Sequence, residues 1–328
     1  MAVFCTYFDR NYVGRGLTLY RSLARLDPGV EMWALCFDDL AMDAVRRLGQ
    51  PGFRPVALAD LEREDTGLRP AAQGRTPLEY YFTCTPSWIA YVLARCRPGA
   101  LVAYVDADVL FFSDPSPLFD EMGIATAGVI PHGFPEHLTF LECCGLYNVG
   151  CVIVRNDHTG RAIVADWRAR CIEWCHDYED DGRYADQKYL DAWPSQFPGV
   201  HVMRHPGAGL GPWNWMARAI DLGPEVPLVD GHSLIFYHYH AFHPVGPWFY
   251  DCGLGSLYGV MPDALRRRIY GTYASQLGAS RKLLRAIAPA VARERPHPRQ
   301  GAVQYYRALL SGLMRRTASI HLTPSRGR

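Results

Sequence analysis

Leu101-Val102-Ala103-Tyr104-Val105-Asp106-Ala107-Asp108-Val109 decides how the rest of the chain is read. Five apolar residues after the turn signal Pro98-Gly99 make a short strand of the kind buried on both faces. It runs directly into two carboxylates at i and i+2, which an extended chain turns to the same side. In open α/β sheets the carboxyl end of a strand is where ligands sit. Paired hard oxygens with coordination positions to spare suit Mg2+ or Mn2+, which in turn bridge phosphate oxygens. Two acids that merely cap a turn, closed by Asp114-Pro115, are the structural alternative. An apolar strand leading straight into both acids favours the metal.

The flanking sequence supplies the layers such a strand needs. Val3–Tyr7, Met32–Phe37 and Phe53–Leu58 are short apolar runs, separated by helix-like spacing over Gly16–Leu26 and Asp43–Leu48. Strand and helix alternating at this distance predict a parallel sheet covered by helices. Ser87–Arg97 reads as a helix ended by Pro98-Gly99, and Asn148–Val154 as a further strand. Thr159–Tyr178 reads as the longest helix, with Ile163, Trp167, Cys171, Trp174 and Tyr178 on one stripe. Leu234–His240 reads as a late strand. The expected class is α/β, with a mixed, mostly parallel central sheet flanked by helices.

Composition narrows the function. The chain has 328 residues, 49% hydrophobic and 12% aromatic, which excludes intrinsic disorder and allows a sizeable core. Ten cysteines form no CxxC pair, and the first twenty residues lack a signal-peptide pattern. No apolar run is long enough to span a membrane. The expectation is reduced thiols and a cytoplasmic protein. A net charge of +1 conceals a division: from Arg281 onward eleven basic residues face one acid, Glu294. We therefore expect one domain over residues 1–262 and a basic helical extension over residues 263–328.

Two enzyme classes place an Asp-x-Asp after a strand. Phosphohydrolases of the haloacid dehalogenase type fit Asp106-Ala107-Asp108-Val109, with the first Asp as nucleophile. They carry the motif near the chain start, however, and need a later Lys, for which only Lys188 is placed. The second class fits by position, and three further stretches accompany it in order. These are Phe4–Tyr12 with Gly16–Ser22, then Tyr147-Asn148-Val149-Gly150, then Asp186-Gln187-Lys188-Tyr189-Leu190-Asp191. Together with Tyr104–Asp108 they resemble the family 8-like glycosyltransferases of the GT-A fold, which include glycogenin and bacterial lipooligosaccharide galactosyltransferases. The likeness is nearest to bacterial members with Thr-Cys-Thr-Pro before the Asp-x-Asp, here Thr83–Pro86, and a His-x-His near the end.

The resemblance implies a metal-dependent transfer of a sugar from a nucleotide-diphosphate sugar, UDP-sugar favoured, to a glycan or lipid-linked acceptor, with retention of configuration. It implies Asp106 and Asp108 as metal ligands, with a late His as the third. His238 and His240 both offer themselves: spacing to Pro247-Trp248 favours His240, and the His-aromatic start favours His238. Asp186, Gln187 and Asn148 fall at the reacting sugar. Thr6, Tyr7, Asp9 and Tyr12 fall at the base and ribose, with Ala107, Trp213 and Asn214 completing the nucleotide-sugar site. The Arg and Lys that relatives place beside the diphosphate are replaced here by the Thr83–Ser87 region and Gly246, with Arg75 or another Arg left to substitute. A non-catalytic nucleotide-sugar-binding protein remains a third reading.

The basic segment mixes Arg266–Arg268, Arg281-Lys282, Arg285, Arg293, Arg295, Arg299, Arg307 and Arg315-Arg316 with apolar residues such as Leu309, Leu310, Leu313 and Met314. Such a segment suits peripheral contact with the inner face of an anionic membrane. Packing against the acidic body is an equal alternative. No nucleic-acid motif accompanies the charge, so no nucleic-acid partner is expected.

Overall fold

The structure, a computed structural model, describes residues 2–245, 249–255 and 257–292. The chain begins β1 (Val3–Phe8), α1 (Val13–Leu26), β2 (Met32–Cys36), α2 (Asp39–Leu48), β3 (Phe53–Ala57), α3 (Leu58–Glu64), α4 (Leu68–Ala71) and α5 (Pro77–Leu93). It continues β4 (Leu101–Val105), β5 (Val109–Phe111), α6 (Ser116–Met122), β6 (Ala127–Pro131), β7 (Tyr147–Arg155), α7 (His158–Glu173), α8 (Trp193–Gln196) and β8 (Val200–Val202). The main sheet has the order β3-β2-β1-β4-β7-β6-β8. Only β7 runs against its neighbours, pairing antiparallel with both β4 and β6. This is the mixed, mostly parallel sheet expected from the sequence.

Both faces are covered. Phe4, Phe8, Met32 and Ala103 pack beneath α1 and α2. Val102, Tyr104, Val152 and Val154 pack beneath α5 and α7 on the opposite face. Because β4 is buried on both sides, the two carboxylates that follow it emerge only past its carboxyl end.

Beyond the main sheet lie the short pieces β9 (Ile220–Asp221), β10 (Leu228–Val229), β11 (His232–Ser233), β12 (Phe236–His238), β13 (His243–Val245) and β14 (Phe249–Asp251). β12 matters most, because it pairs antiparallel with β5 and sets His238 opposite Val109. The chain then forms α9 (Asp263–Arg266), a π-helical stretch and α10 (Thr272–Ile287). α10 buries Tyr273, Ala274, Leu277, Ser280 and Leu284, and its Ser280 Oγ accepts from Thr18 Oγ1 of α1 at 2.9 Å.

Three boundaries differ from expectation. α5 starts at Pro77, well before Ser87, and carries Pro86 in its interior. A Thr76–Glu79 capping box starts it, so the internal proline is a poor guide to its boundary. α7 stops at Glu173, so Trp174 and Tyr178 fall in the following loop. The late strand is limited to the three residues that find partners on β5. The expected Pro247-Trp248 and Gly246 positions, and the basic segment from Arg293 onward, lie outside the described residues.

Candidate functional site

Asp106 leaves β4 with its N–H bonded to the Gly150 carbonyl of β7 at 3.1 Å. Two residues later the Asp108 carbonyl accepts from Tyr239 N at 2.9 Å, so the Asp-x-Asp turn is held from two directions. The β5–β12 register then delivers His238 against both acids. His238 Nε2 lies 3.2 Å from Asp108 Oδ1 and 3.6 Å from Asp106 Oδ2. One ligand atom from each of the three residues falls within a 4.8 Å span. Cis ligands about 3.0 Å apart are what 2.1 Å bonds at right angles require, so the donor set fits Mn2+ or Mg2+ with positions left open. Among the described residues no other group of three His, Cys, Asp or Glu does so.

The electrostatics follow from this crowding. Burial pushes Asp106 above the usual carboxylate range, with Asp108 adding to it and His238 opposing. Burial acts the same way on Asp108, but His238 and Arg15 outweigh it and hold the carboxyl well below its ordinary value. The two acids likewise overcome burial at His238 and hold its imidazole above its ordinary value. Tyr104 Oη donates to Asp106 Oδ1 at 2.6 Å, fixing that carboxylate from the β4 side.

His238 can reach the acids because the β7 residue against its ring is a glycine, Gly150. A Cβ on Gly150 would lie 2.4 Å from Asn148 Oδ1 and 2.5 Å from His238 Nδ1. His240 lies two residues on, past the end of β12, with its ring 6.1 Å from that of Trp213. Geometry therefore separates the two histidines that spacing left open: His238 joins the triad.

Asp186 lies near enough to Asp106 for the two charges to interact. It is 3% exposed and follows Ala185, whose φ of 46° is a left-handed conformation unfavourable for a non-glycine residue. Burial pushes its carboxyl up to about 7, with Asp106 adding to the rise and Thr85 opposing. Its Oδ2 is buried without a hydrogen-bond partner among the described residues. Thr85 also donates to Tyr7 Oη at 3.3 Å, so the Thr83–Pro86 stretch reaches the site through a hydroxyl.

Other expected residues are placed less directly. Gln187 Nε2 donates to the Cys144 carbonyl at 3.0 Å while its Oε1 accepts from Val149 N at 3.4 Å. Asn148 Oδ1 accepts from Gly150 N at 2.6 Å, and its Nδ2 meets His132 Nε2 at 2.9 Å. Asn214 is 3% exposed and bonds only to backbone, bracing the loop that carries Trp213. Trp213 presents its ring edge-on to His238 at 5.3 Å. Thr6 is fully buried on β1, and Ala107 is buried between the two acids. Asp9 bonds Asn11 through both carboxylate oxygens, and Tyr12 is exposed at the start of α1. Arg75 is not a site cation: its guanidinium binds Thr83 Oγ1 and the Cys171 and Ile172 carbonyls at the end of α7.

Sequence reasoning missed Arg15, Tyr104 and His132 as site residues. Burial depresses the His132 imidazole to about 3, so it stays neutral against Asn148. Nothing local marks it. Arg15 carries one signal, a cation in the first turn of a helix, where the dipole disfavours it.

No family model matches the chain. Two proteins of Bacillus subtilis (strain 168), both uncharacterised, are similar to it at 29% identity. YfnD matches over 277 residues, 84% of this chain and 88% of its own, and YfnF over 252 residues, 74% and 82%. Among solved structures, galactosyltransferase LgtC in complex with donor and acceptor sugar analogues covers 81% of this chain and 99% of its own, at 18% identity and TM-score 0.52. An active-site mutant of LgtC covers the same shares at 17% identity and TM-score 0.50. The likeness shows the fold: the chain has the GT-A architecture that its motifs resemble.

Proposed function

We propose that this protein is a metal-dependent glycosyltransferase that moves a sugar from a nucleotide-diphosphate sugar to an acceptor hydroxyl. One observation carries the reading. On a GT-A sheet, Asp106, Asp108 and His238 converge at the carboxyl end of β4, with the buried carboxyl of Asp186 near enough to Asp106 for the two charges to interact. Asp106, Asp108 and His238 would hold Mn2+ or Mg2+, which supplies Lewis-acid stabilisation of the departing diphosphate.

The remaining work falls to side chains. Tyr104 keeps one Asp106 oxygen oriented, and Gly150 gives His238 its place. Asp186, its carboxyl raised by burial to about 7, suits hydrogen bonding to a sugar hydroxyl. Gln187, an amide, is a poor nucleophile, which favours a front-face transfer with retention, assisted by the leaving phosphate, over a covalent intermediate. Gln187 acts through the Cys144–Val149 backbone that it braces, and Asn148 and Trp213 line the sugar side. Tyr7, Asp9 and Tyr12 would face the base and ribose from the carboxyl end of β1 and the β1–α1 loop, with the buried Thr6 supporting them from within the strand. A UDP donor, a glycan or lipid-linked acceptor, and membrane contact through the basic segment belong to the same proposal and rest on the sequence. Among the described residues no helix is long and apolar enough to cross a membrane.

The phosphohydrolase reading loses its lysine. Lys188 Nζ is held by Asp191 at 2.9 Å and by the Glu142 carbonyl at 2.7 Å. The test of the proposal is a thermal-shift panel of nucleotide sugars with and without Mn2+, followed by release of nucleoside diphosphate on adding saccharide acceptors. Ligand at 100 times its dissociation constant adds about 2.7 kcal/mol, a clear rise in melting temperature. A panel in which no nucleotide sugar shifts the melt would overturn it, and binding without turnover would leave a nucleotide-sugar-binding protein.

A further inference from the structure

Asp108 is held from a side that its motif does not announce. Its Oδ1 faces His238, whereas its Oδ2 lies 3.6 Å from a terminal guanidinium nitrogen of Arg15, contributed by α1. The other terminal nitrogen of Arg15 donates to the Phe242 carbonyl, four residues beyond His238. The guanidinium also lies over the Tyr12 ring, 4.4 Å from its centroid. The residue is 2% exposed.

This is an expensive place for a cation. A buried guanidinium is tolerated only when paired and hydrogen-bonded. A positive charge in the first turn also opposes the helix dipole. Helix formation therefore gives no reason for Arg15 at this position, and packing alone would be served by an apolar side chain of similar length. What an arginine adds is a planar fork that engages a carboxylate and a carbonyl at once.

We propose that Arg15 is a positioning residue for the metal site. It keeps Asp108 turned so that one oxygen rests on the guanidinium and the other faces Asp106 and His238. Through Phe242 it also ties the segment that carries His238 to α1. Asp108 would then offer a divalent cation the oxygen that faces His238. The inference rests on the metal reading given above, and two opposing effects make it testable. If charge alone mattered, removing a cation beside the site would tighten metal binding. If orientation dominates, removing it weakens binding, by the roughly 10–100-fold typical of partners that orient metal ligands.

The experiment is a Mn2+ titration, read from the paramagnetic resonance of free ion, on the full chain and on Arg15→Met and Arg15→Lys. Circular dichroism and thermal melts establish that each variant is folded. The expected result is a dissociation constant raised about 10–100-fold in Arg15→Met, with Arg15→Lys in between because a single ammonium can hold Asp108 or the Phe242 carbonyl but not fork across both. Unchanged or tighter binding in folded Arg15→Met overturns the inference. Should Arg15→Met not fold, Arg15→Lys decides: weakening of about threefold or more supports the fork, and unchanged binding overturns it. A wild-type chain that takes up no Mn2+ overturns the metal reading and this inference together. Wild-type binding with unchanged variants overturns the inference alone.

Discussion

Replacing Gly150 with Ala is the most discriminating perturbation of the site, because it adds one methyl and replaces no proposed ligand. The new Cβ would sit 2.5 Å from His238 Nδ1, 2.6 Å from Cε1 of the same ring and 2.4 Å from Asn148 Oδ1. Neighbours at ordinary van der Waals contact stand about 3.4 Å or more away, so the imidazole must retreat by about 0.9 Å unless β7 moves instead. A metal site tolerates about 0.2 Å in its ligand distances. The displaced ring can therefore no longer share a cation with Asp106 and Asp108. We expect Gly150→Ala to fold, at a cost of about 1–3 kcal/mol for overpacking. Its Mn2+ affinity should fall about 10–100-fold, and turnover at fixed Mn2+ should fall with it. Calorimetric Mn2+ titration beside a thermal melt separates the two effects. A folded Gly150→Ala that binds Mn2+ as tightly as the parent would refute the reasoning, since the added methyl would then not have displaced a ligand.

The remaining predictions use the same readouts. His238→Ala should abolish measurable Mn2+ binding while His240→Ala leaves it within about threefold, since only the first imidazole reaches both acids; equal losses would sink the assignment. Mn2+ affinity should weaken as pH falls, because both the raised His238 imidazole and the raised Asp106 carboxyl must give up protons to bind; identical titrations at pH 6 and pH 8 would contradict this. Glu79 is opposed by burial but held down to about 2 by the Thr76 and Asp177 N–H groups, the Thr76 hydroxyl and His176. Its stabilisation is therefore present above about pH 4.5 and lost as pH falls toward 2. Glu79→Gln should cost about 1–3 kcal/mol at pH 7, read by urea unfolding, and a cost just as large at pH 2 would show the linkage to be wrong.

How much of this was legible depends on how local each signal is. β4 was readable end to end, because a continuous apolar run between Gly99 and two acids leaves one plausible register. The Asp-x-Asp pair followed from strand geometry alone. The reversal of β7 was not readable, since an apolar strand buried on both faces looks the same in either direction. The start of α5 was hidden by Pro86, a residue that reads as a boundary. His238 and His240 could not be separated by sequence because residues at i and i+2 share a face. The pairing of His238 with Val109, and the end of β12 immediately after it, make the choice. Arg15 meets Asp108 across a helix-to-strand gap that no spacing rule spans.

The same long-range dependence explains why the described part of the basic C-terminal segment belongs to the site's architecture. α10 lies along α1, with the Arg281 side chain 3.4 Å from where a Gly14 Cβ would stand. Thr18 and Ser280 bond across the seam, and an Arg281 guanidinium nitrogen donates to Tyr250 Oη at 2.6 Å. Tyr250 stacks on Phe242, 4.7 Å between centroids, and the Phe242 carbonyl receives Arg15. Each link fixes the next, from Ser280 through α1 to the carboxylate of Asp108. A helix that only floated against an acidic body by charge would bury few side chains. α10 instead buries Tyr273, Leu277 and Leu284 completely and uses Arg281 to hold a tyrosine. Salt should therefore leave this helix docked, whereas removal of its apolar face should loosen α1 and the Asp108 carboxylate together.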